Sequence, residues 1–347
     1  MHRRSRLLAA AALAASVAGA HAAPRYALEI LGRAVQGDQQ RGQYHVDARG
    51  VVSGTASRHG RTRCVVYDHG DVRDLGTLGG HGCQVSGIGA DGTVVGTSQD
   101  TTGAWHAFRH DRAGMTDLGT WAEDTFSVAV GVNALGQVVG NSFSSGGRER
   151  VFLSDGARFV NVSRRAGYRL LEATGLNATG AIVGTGVTPD QARHAFVCVG
   201  DVVTDLGTLP GAQDDALAGV AINNHGQVAG TSQGAGGTLR AFLWEGGAMK
   251  DLGLLGDAPD AATGASDLND RGWVVGRATY GAGDGGKVGY VYDGLALNDL
   301  NTLIPNAVAA HWRIVAAGGI NAIGQIAAVA RSRDDGRHVV VLLTPVD

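Results

Sequence analysis

The feature that most constrains this chain is a short motif that occurs seven times along it. The clearest copy runs from Ile222 to Gly230 and reads INNHGQVAG. It consists of an apolar residue, an Asn, two variable residues, a Gly and a short, largely apolar run. The central glycines of the seven copies are Gly50, Gly92, Gly136, Gly180, Gly226, Gly272 and Gly324. Their spacings of 42, 44, 44, 46, 46 and 52 residues are typical of propeller blades rather than of heptads or helical-pair repeats.

Each repeat contains four segments that resemble β-strands. In the fifth repeat they are 217–222, 226–232, 239–245 and 249–255. Asn and Gly mark tight turns between the first and second strands and between the third and fourth. The other two connections are longer. Because the strands are predicted to be antiparallel, both sets of longer loops should lie on one face, which we call the long-loop face.

The two ends of the chain complement each other. The seventh repeat stops after its third strand, 338–343, whereas residues 26–32 resemble a fourth strand with no repeat before it. We therefore predict an all-β, seven-bladed β-propeller with four antiparallel strands per blade, closed by strand 26–32 in the last blade. An open solenoid would instead need capping segments at both ends, and the sequence shows none. The prediction is one domain over residues 23–347, and the 56 glycines suit such a turn-rich fold.

The first 22 residues are predicted to be a secretory signal peptide. Arg3, Arg4 and Arg6 form a basic start, residues 7–18 are apolar, and Ala20-His21-Ala22 offers a cleavage site. We expect export to the periplasm or the extracellular space, with no membrane span after cleavage. Removal of the three arginines changes the net charge from −3 to −6. A mildly acidic chain without a Lys/Arg block argues against nucleic acid as a partner.

The cysteines number three. Cys64 and Cys83 lie near the junction of the first two repeats and could form a disulfide in an oxidising compartment, which would leave Cys198 unpaired. Alternatively, all three cysteines are unpaired and are buried as small hydrophobic side chains.

The third strands carry a second motif, His106-Ala107-Phe108 and His194-Ala195-Phe196. Together with the Asp-Leu-Gly segment that begins at Asp74, this motif resembles the HAF-repeat family of predicted extracellular bacterial proteins. The resemblance covers about the whole chain after the signal peptide. It implies export and repetition, but it supplies no reaction, ligand or catalytic residue. Both histidines occupy a repeat position, as do the aspartates that recur near the start of the fourth strands, so we expect structural hydrogen bonds from them.

The candidate binding residues do not follow the repeat. The loops from fourth to first strands should bring aromatic, acidic and basic side chains to the long-loop face, where a rigid scaffold often binds its partner. These candidates are Trp121, Glu123, Asp124, Arg165, Tyr168, Arg169, Asp214, Asp215, His311 and Trp312. Arg164, Asp257 and Asp260 lie on the same loops. The acidic residues lack the ligand spacing of an EF-hand, and no metal or other cofactor is predicted.

The leading functional hypothesis is a secreted, monomeric, non-catalytic module that binds an extracellular glycan, peptide or protein on the long-loop face. One alternative is a polysaccharide hydrolase or lyase, which would need an acid pair such as Glu123 or Asp124 with Asp214 or Asp215. Another is a structural component of a matrix or envelope. The sequence favours a binding module over an enzyme, because it has no recognisable reaction motif.

Overall fold

A computed structural model describes residues 23–34, 44–58, 60–147, 149–156, 158–165, 167–212, 216–280 and 286–346. The predicted signal peptide, 1–22, lies outside the described residues. Strands dominate, as the turn-rich sequence predicts. The helical segments among these residues are two 3₁₀ turns, Ala235–Gly237 and Leu300–Thr302, and one short α-helix, Asn306–Ala309. No helix among the described residues is long and apolar enough to cross a membrane.

The strands recur in sets of four, one set for each repeat. The first strands are β2 (His45–Val46), β6 (Gly79–Ile88), β10 (Phe126–Val132), β15 (Tyr168–Leu176), β19 (Ala216–Ile222), β23 (Ala262–Leu268) and β27 (Trp312–Ile320). The second strands are β3 (Val52–Arg58), β7 (Val94–Asp100), β11 (Val138–Phe143), β16 (Ile182–Val187), β20 (Val228–Gln233), β24 (Val274–Thr279) and β28 (Ile326–Ser332).

The third strands are β4 (Arg61–Asp68), β8 (Trp105–Asp111), β12 (Glu149–Ser154), β17 (Arg193–Val199), β21 (Leu239–Glu245), β25 (Lys287–Tyr292) and β29 (His338–Val346). The fourth strands are β5 (Asp71–Asp74), β9 (Gly114–Gly119), β13 (Phe159–Asn161), β18 (Val202–Asp205), β22 (Ala248–Asp251) and β26 (Leu297–Asp299). Two strands remain, β1 (Arg25–Arg33) and β14 (Arg164–Arg165).

These strands form six sheets. Four of the sheets hold the strands of repeats one, four, five and six in sequence order, with β14 added at the edge of repeat four. Repeats two and three share one eight-stranded sheet, because β8 and β10 make a parallel contact at Trp105 and Phe126. The last sheet has the order β1-β29-β28-β27. Strand β1 thus supplies the fourth strand of repeat seven, as the sequence predicts, pairing antiparallel from Arg25 opposite Val346 to Arg33 opposite Val339.

Fourth strands are shorter than predicted. The sequence predicts 249–255 in repeat five, but β22 ends at Asp251. The Asp251 carboxylate accepts a hydrogen bond from the Gly253 N–H, and Gly253 has a positive φ of 90°. The recurring aspartate therefore turns the chain out of the sheet, and the local Asx turn ends the strand.

The turns between first and second strands form the most regular feature of the molecule. All seven central glycines have positive φ, between 74° and 90°, a region that residues with a Cβ rarely adopt. The preceding Asn organises the turn: Asn223 Oδ1 accepts from the N–H groups of His225 and Gln227. Its Nδ2 atom donates to the carbonyl of Asn269, the equivalent residue of the next repeat.

The same contact recurs from one repeat to the next. We call this set of side-chain amide to main-chain carbonyl bonds the amide ladder. Its five hydrogen bonds, 2.9 to 3.2 Å long, are Asn133 to Asn177, Asn177 to Asn223, Asn223 to Asn269, Asn269 to Asn321 and Asn321 to Asp47. The last of them joins repeat seven to repeat one. These two repeats also share a buried core that includes Val46, Val65, Val329 and Val340.

Residues of the first strands of all seven repeats line one cavity of about 420 Å³. Small side chains make up much of its lining. Two ionisable side chains in it have shifted pKa values: burial lowers the pKa of His45 to about 4 and raises that of the Asp267 carboxyl to about 6. Asp267 accepts a hydrogen bond from the Ile320 N–H, which links repeats six and seven.

Cys64 and Cys83 form a disulfide with a Cα–Cα distance of 5.3 Å, and Cys198 is a buried free thiol. The disulfide joins β4 of repeat one to β6 of repeat two. The amide ladder does not link these repeats, because Asp47 has no side-chain N–H to donate. The covalent bond and the hydrogen bond from the Val85 N–H to Thr55 Oγ1 hold the same junction together.

The amide ladder predicts that replacing Asn223 with aspartate will lower the stability of the fold. Asn223→Asp keeps the Oδ1 acceptor of the turn but removes the Nδ2 donor, so the Asn269 carbonyl keeps only its hydrogen bond from the Gly272 N–H and a carboxylate oxygen faces it in a buried place. We expect a loss of about 1–3 kcal/mol in the free energy of unfolding, measured by urea denaturation. His225→Ala, at an exposed position of the same turn, should change it by less than about 0.5 kcal/mol. Equal effects of the two variants would contradict the ladder.

The disulfide predicts a second loss. It closes a loop with a sequence separation of 19, so the double variant Cys64→Ala/Cys83→Ala should be less stable by about 3 kcal/mol. Thermal unfolding with and without reductant measures this effect. Cys198→Ala removes a buried sulfur without breaking a cross-link, and it is the matched control. A reductant that leaves the wild-type Tm unchanged would show that the bond contributes nothing.

Candidate functional site

The third-strand motif, which we call the triplet, is His-Ala-Phe in repeats two and four. Its first residue normally pairs with the recurring aspartate of the fourth strand. His106 Nδ1 lies 3.0 Å from Asp117, His194 Nδ1 lies 2.8 Å from Asp205, and Arg240 lies 3.2 Å from Asp251. Each aspartate also accepts a hydrogen bond from the main-chain N–H two residues further on, at Gly119, Gly207 and Gly253. The prediction that these histidines and aspartates make structural hydrogen bonds is therefore confirmed.

Repeat three departs from this pattern. It has Arg150 at the triplet position, but Asn161 replaces the aspartate, and the Asn161 amide oxygen accepts from the Ser163 N–H. Arg150 instead makes an ion pair with Asp124, which comes from the loop between repeats two and three. The side chain of Asp124 is 1% exposed and that of Arg150 is 18% exposed. The guanidinium is thus held by a carboxylate from outside its own repeat.

A cavity of about 620 Å³ opens beside Arg150. We call it the arginine cavity, and its lining residues are Gly147, Glu149, Arg150, Asn161, Ser163, Arg164, Arg169 and Leu171. The lining contains three guanidinium groups, those of Arg150, Arg164 and Arg169, and the carboxylate of Glu149, while the Asp124 carboxylate lies behind Arg150. Two loops of the long-loop face build it: the connection between β11 and β12, and the segment between β13 and β15.

The second of these segments is more ordered than the sequence predicts. The sequence predicts a fourth strand over 159–165 and a loop over 163–169, but β13 ends at Asn161 and β14 pairs antiparallel with the start of β15, placing Arg164 opposite Arg169 and Arg165 opposite Tyr168. We call this unit the 164–169 hairpin. Gly167, with a φ of 86°, lies in its tight connection. The strands of this hairpin therefore contain Arg165, Tyr168 and Arg169. The backbone pairing fixes the positions of the Cα atoms of Arg164 and Arg169.

The predicted binding residues fall into separate groups. Arg169 lines the arginine cavity, and Asp124 lies behind Arg150 in the wall of that cavity. Tyr168 is half-buried and packs against a core that includes Val151 and Leu170, so it anchors the hairpin. Glu123 is exposed, and the Trp121 N–H donates to Ser142 Oγ. Asp214 and Asp215 lie outside the described residues.

His311 and Trp312 lie elsewhere. They line a different cavity, of about 400 Å³, together with Leu28, Ile30 and Val308. His311 Nδ1 lies 3.2 Å from Asp334, and the guanidinium of Arg337 lies 5.6 Å from the centre of the Trp312 ring. Among the candidates that the structure describes, His311 and Trp312 thus line a different cavity from Arg169. Sequence reasoning missed Glu149, Arg150, Asn161 and Ser163, although Asn161 is visible as a gap in the series of recurring aspartates.

The described residues include no group of three or more His, Cys, Asp or Glu side chains that could hold a metal ion. The arginine cavity offers different chemistry. Guanidinium groups donate paired hydrogen bonds in a planar fork that matches a carboxylate. Asn161 and Ser163 add neutral polar atoms of the kind that bind hydroxyl groups.

Solved structures with a similar fold place the chain among β-propellers. The β-propeller domain of the trilobed protease from Pyrococcus furiosus superimposes with a TM-score of 0.54 and 9% sequence identity, covering 93% of this chain and 96% of that one. A puromycin-hydrolysing peptidase from Mycobacterium tuberculosis gives a TM-score of 0.51 at 15% identity, covering 91% of this chain and 56% of that one. At such identities the likeness shows the fold alone: this is an all-β protein with a propeller scaffold.

No protein-family model matches the sequence. No curated protein matches it either.

The Arg150–Asp124 ion pair predicts that two arginine substitutions at the same repeat position will lower the free energy of unfolding by different amounts. Arg150→Gln leaves the buried Asp124 carboxylate without its cation, and Asp124 Oδ2 already lacks a partner among the described residues. We expect a loss of about 3–5 kcal/mol in the free energy of unfolding. Arg240→Gln changes the same repeat position opposite Asp251, whose side chain is 40% exposed, and should cost about 0–1 kcal/mol. Asp124→Asn/Arg150→Gln should recover most of the loss, and a double variant no better than Arg150→Gln would disprove the pairing.

Proposed function

We propose that this chain is an exported member of the HAF-repeat family that folds as a closed seven-bladed ring and acts as a non-catalytic binding module. Three observations support the ring. The strands recur in seven sets of four, and first strands from all seven repeats line one cavity. Repeats seven and one share a core and the hydrogen bond from Asn321 to Asp47. The signal peptide predicted over residues 1–22 supports export.

The binding site of this module is the arginine cavity, and its ligand carries a carboxylate or a comparable anionic group. The exception in repeat three is the observation that carries this proposal. In the repeats where the triplet residue has an aspartate partner, the pair lies within one repeat, whereas in repeat three a neutral amide takes the place of the aspartate and the buried Asp124 carboxylate pairs with Arg150 instead. Arg150 thereby stands in the cavity wall, and Arg169 adds a further guanidinium from a hairpin that has no counterpart in the predicted repeat pattern.

Binding is better supported than the polysaccharide hydrolase or lyase considered from the sequence. That reaction would need a pair of carboxyl groups open to the substrate, with Asp124 or Glu123 as one member. Asp124 is buried against Arg150, so its carboxylate stabilises the cavity wall and does not face a ligand. Glu123 is exposed, but it is not among the residues that line the arginine cavity.

Binding to a glycan array that contains uronic-acid, sialylated, sulfated and neutral glycans tests this function. We expect anionic glycans to be retained, with weaker binding at higher salt because screening reduces the attraction. Arg169→Gln should lower the affinity at least about tenfold, as measured by calorimetry on the retained glycan. Arg193→Gln, an exposed arginine of repeat four that does not line the cavity, is the control. Retention of neutral glycans alone, or unchanged binding by Arg169→Gln, would refute the proposal.

A further inference from the structure

A cavity of about 1010 Å³ lies between the turns of repeats one, two and three. Its lining includes the turns between first and second strands at Gly92 and Gly136, and the turn between third and fourth strands at 111–114. Because the strands are antiparallel, both kinds of tight turn lie on the face opposite the long-loop face. We call this cavity the turn-face cleft. It shares no lining residue with the arginine cavity among the described residues, so it is a separate candidate site.

The turn-face cleft lies where the amide ladder is interrupted. Ladder bonds join the turns of neighbouring repeats from three to seven and from seven to one. They are missing between repeats one and two and between repeats two and three, because the Asp47 side chain has no N–H and Gly89 has no side chain. Residues of these same three repeats line the cleft. The open space therefore coincides with a local change in the repeated motif.

The junction of repeats five and six shows what fills the equivalent position elsewhere. There Lys250 of β22 donates a hydrogen bond to the Tyr292 hydroxyl of β25. Arg73 corresponds to Lys250, since each directly precedes the recurring aspartate, and His110 corresponds to Tyr292, since each lies two residues beyond the triplet position. Among the described residues no hydrogen bond joins Arg73 to His110, and burial and the Arg73 charge lower the pKa of His110. The guanidinium of Arg73 therefore keeps its donors for a ligand.

Charged side chains of both signs line the cleft, four guanidinium groups and four carboxylates. Most of them pair within the protein, at 2.7 to 3.8 Å. Arg73, Arg112 and Asp91 have no ion-pair partner among the residues that the structure describes. Asp91 accepts hydrogen bonds from the N–H and the hydroxyl of Thr93, which are neutral groups. Two cations and one carboxylate thus remain for a ligand.

Apolar side chains form the base of the cleft and part of its rim. Val51, Val66 and Leu75 line it and are 3–8% exposed, so they lie at its base. Leu135, in the turn of repeat three, is 74% exposed and lies at the rim. Covering this side chain removes apolar surface from water, which favours a ligand with apolar groups of its own.

We propose that the turn-face cleft binds a peptide segment in which acidic and basic residues stand beside apolar ones. Carboxylates of the peptide pair with Arg73 and Arg112, a basic side chain pairs with Asp91, and apolar side chains cover Leu135. A polymer with one sign of charge fits less well, because it would bring like charges against four carboxylates or four guanidinium groups. A neutral glycan would cover the two arginines without supplying an anion, which costs the hydration of their charges.

An array of acetylated and amidated octapeptides tests this inference on the full chain. Each peptide carries two leucines, and its remaining variable positions hold glutamate with lysine, glutamate alone, lysine alone or glutamine alone. We expect retention of the series that carries both charges. Stronger retention of any other series, equal retention of all four, or retention of none would overturn the proposal.

Two matched pairs of variants locate the site. In calorimetry with the most strongly retained peptide, Arg73→Gln should lower the affinity at least about tenfold, whereas Lys250→Gln, at the same repeat position, should leave it unchanged. Leu135→Ser should lower it several-fold, whereas Ile323→Ser, at the same turn position of repeat seven and 55% exposed in the wild type, should not. A peptide that binds Arg73→Gln and Leu135→Ser as it binds the wild type would overturn the site. Arg169→Gln, in the arginine cavity, should not affect peptide binding, so either proposal can fail without the other.

Discussion

The fold depends on one repeated hydrogen bond, from the side-chain amide of a turn asparagine to the main-chain carbonyl of the equivalent residue in the next repeat. The donor and the acceptor are buried in each case, and the acceptor carbonyl also receives the N–H of the turn glycine in its own repeat, so the bond ties one turn directly to the next. Hydrophobic contact brings neighbouring sheets together without fixing their relative position. The amide ladder supplies that register from repeat three through repeat seven and on to repeat one.

Other interactions replace the ladder where it stops. Gly89 stands at the asparagine position of repeat two and has no side chain, and the Asp47 side chain in repeat one has no N–H to donate. The disulfide joins repeats one and two at this gap. Repeats two and three share a sheet through Trp105 and Phe126, and the Ala107 N–H donates to Ser127 Oγ across the same junction. Each interruption of the motif is therefore matched by another bond between the same repeats.

Much of this architecture could be predicted from the sequence, because it follows from a local pattern that recurs. The order of the strands, the Asn-Gly turns and the pairing of residues 26–32 with the last repeat all belong to this class. The arginine cavity does not. Its main features are the Arg150–Asp124 pair, which links residues from different repeats, and a two-residue strand at Arg164 that the periodicity does not contain. Non-local pairing decides both, so the sequence showed only the missing aspartate at Asn161.

Strand β1 finds its partner in β29, at the opposite end of the polypeptide. Loop closure over nearly the whole chain must come before that pairing, and the entropy of such a closure makes it a late event in folding. A ribosome synthesises the chain from its amino terminus, so β1 has to wait until β29 has been made. Until then its backbone N–H and C=O groups stay exposed as an open edge, which is the state in which strands most readily associate with the wrong neighbour.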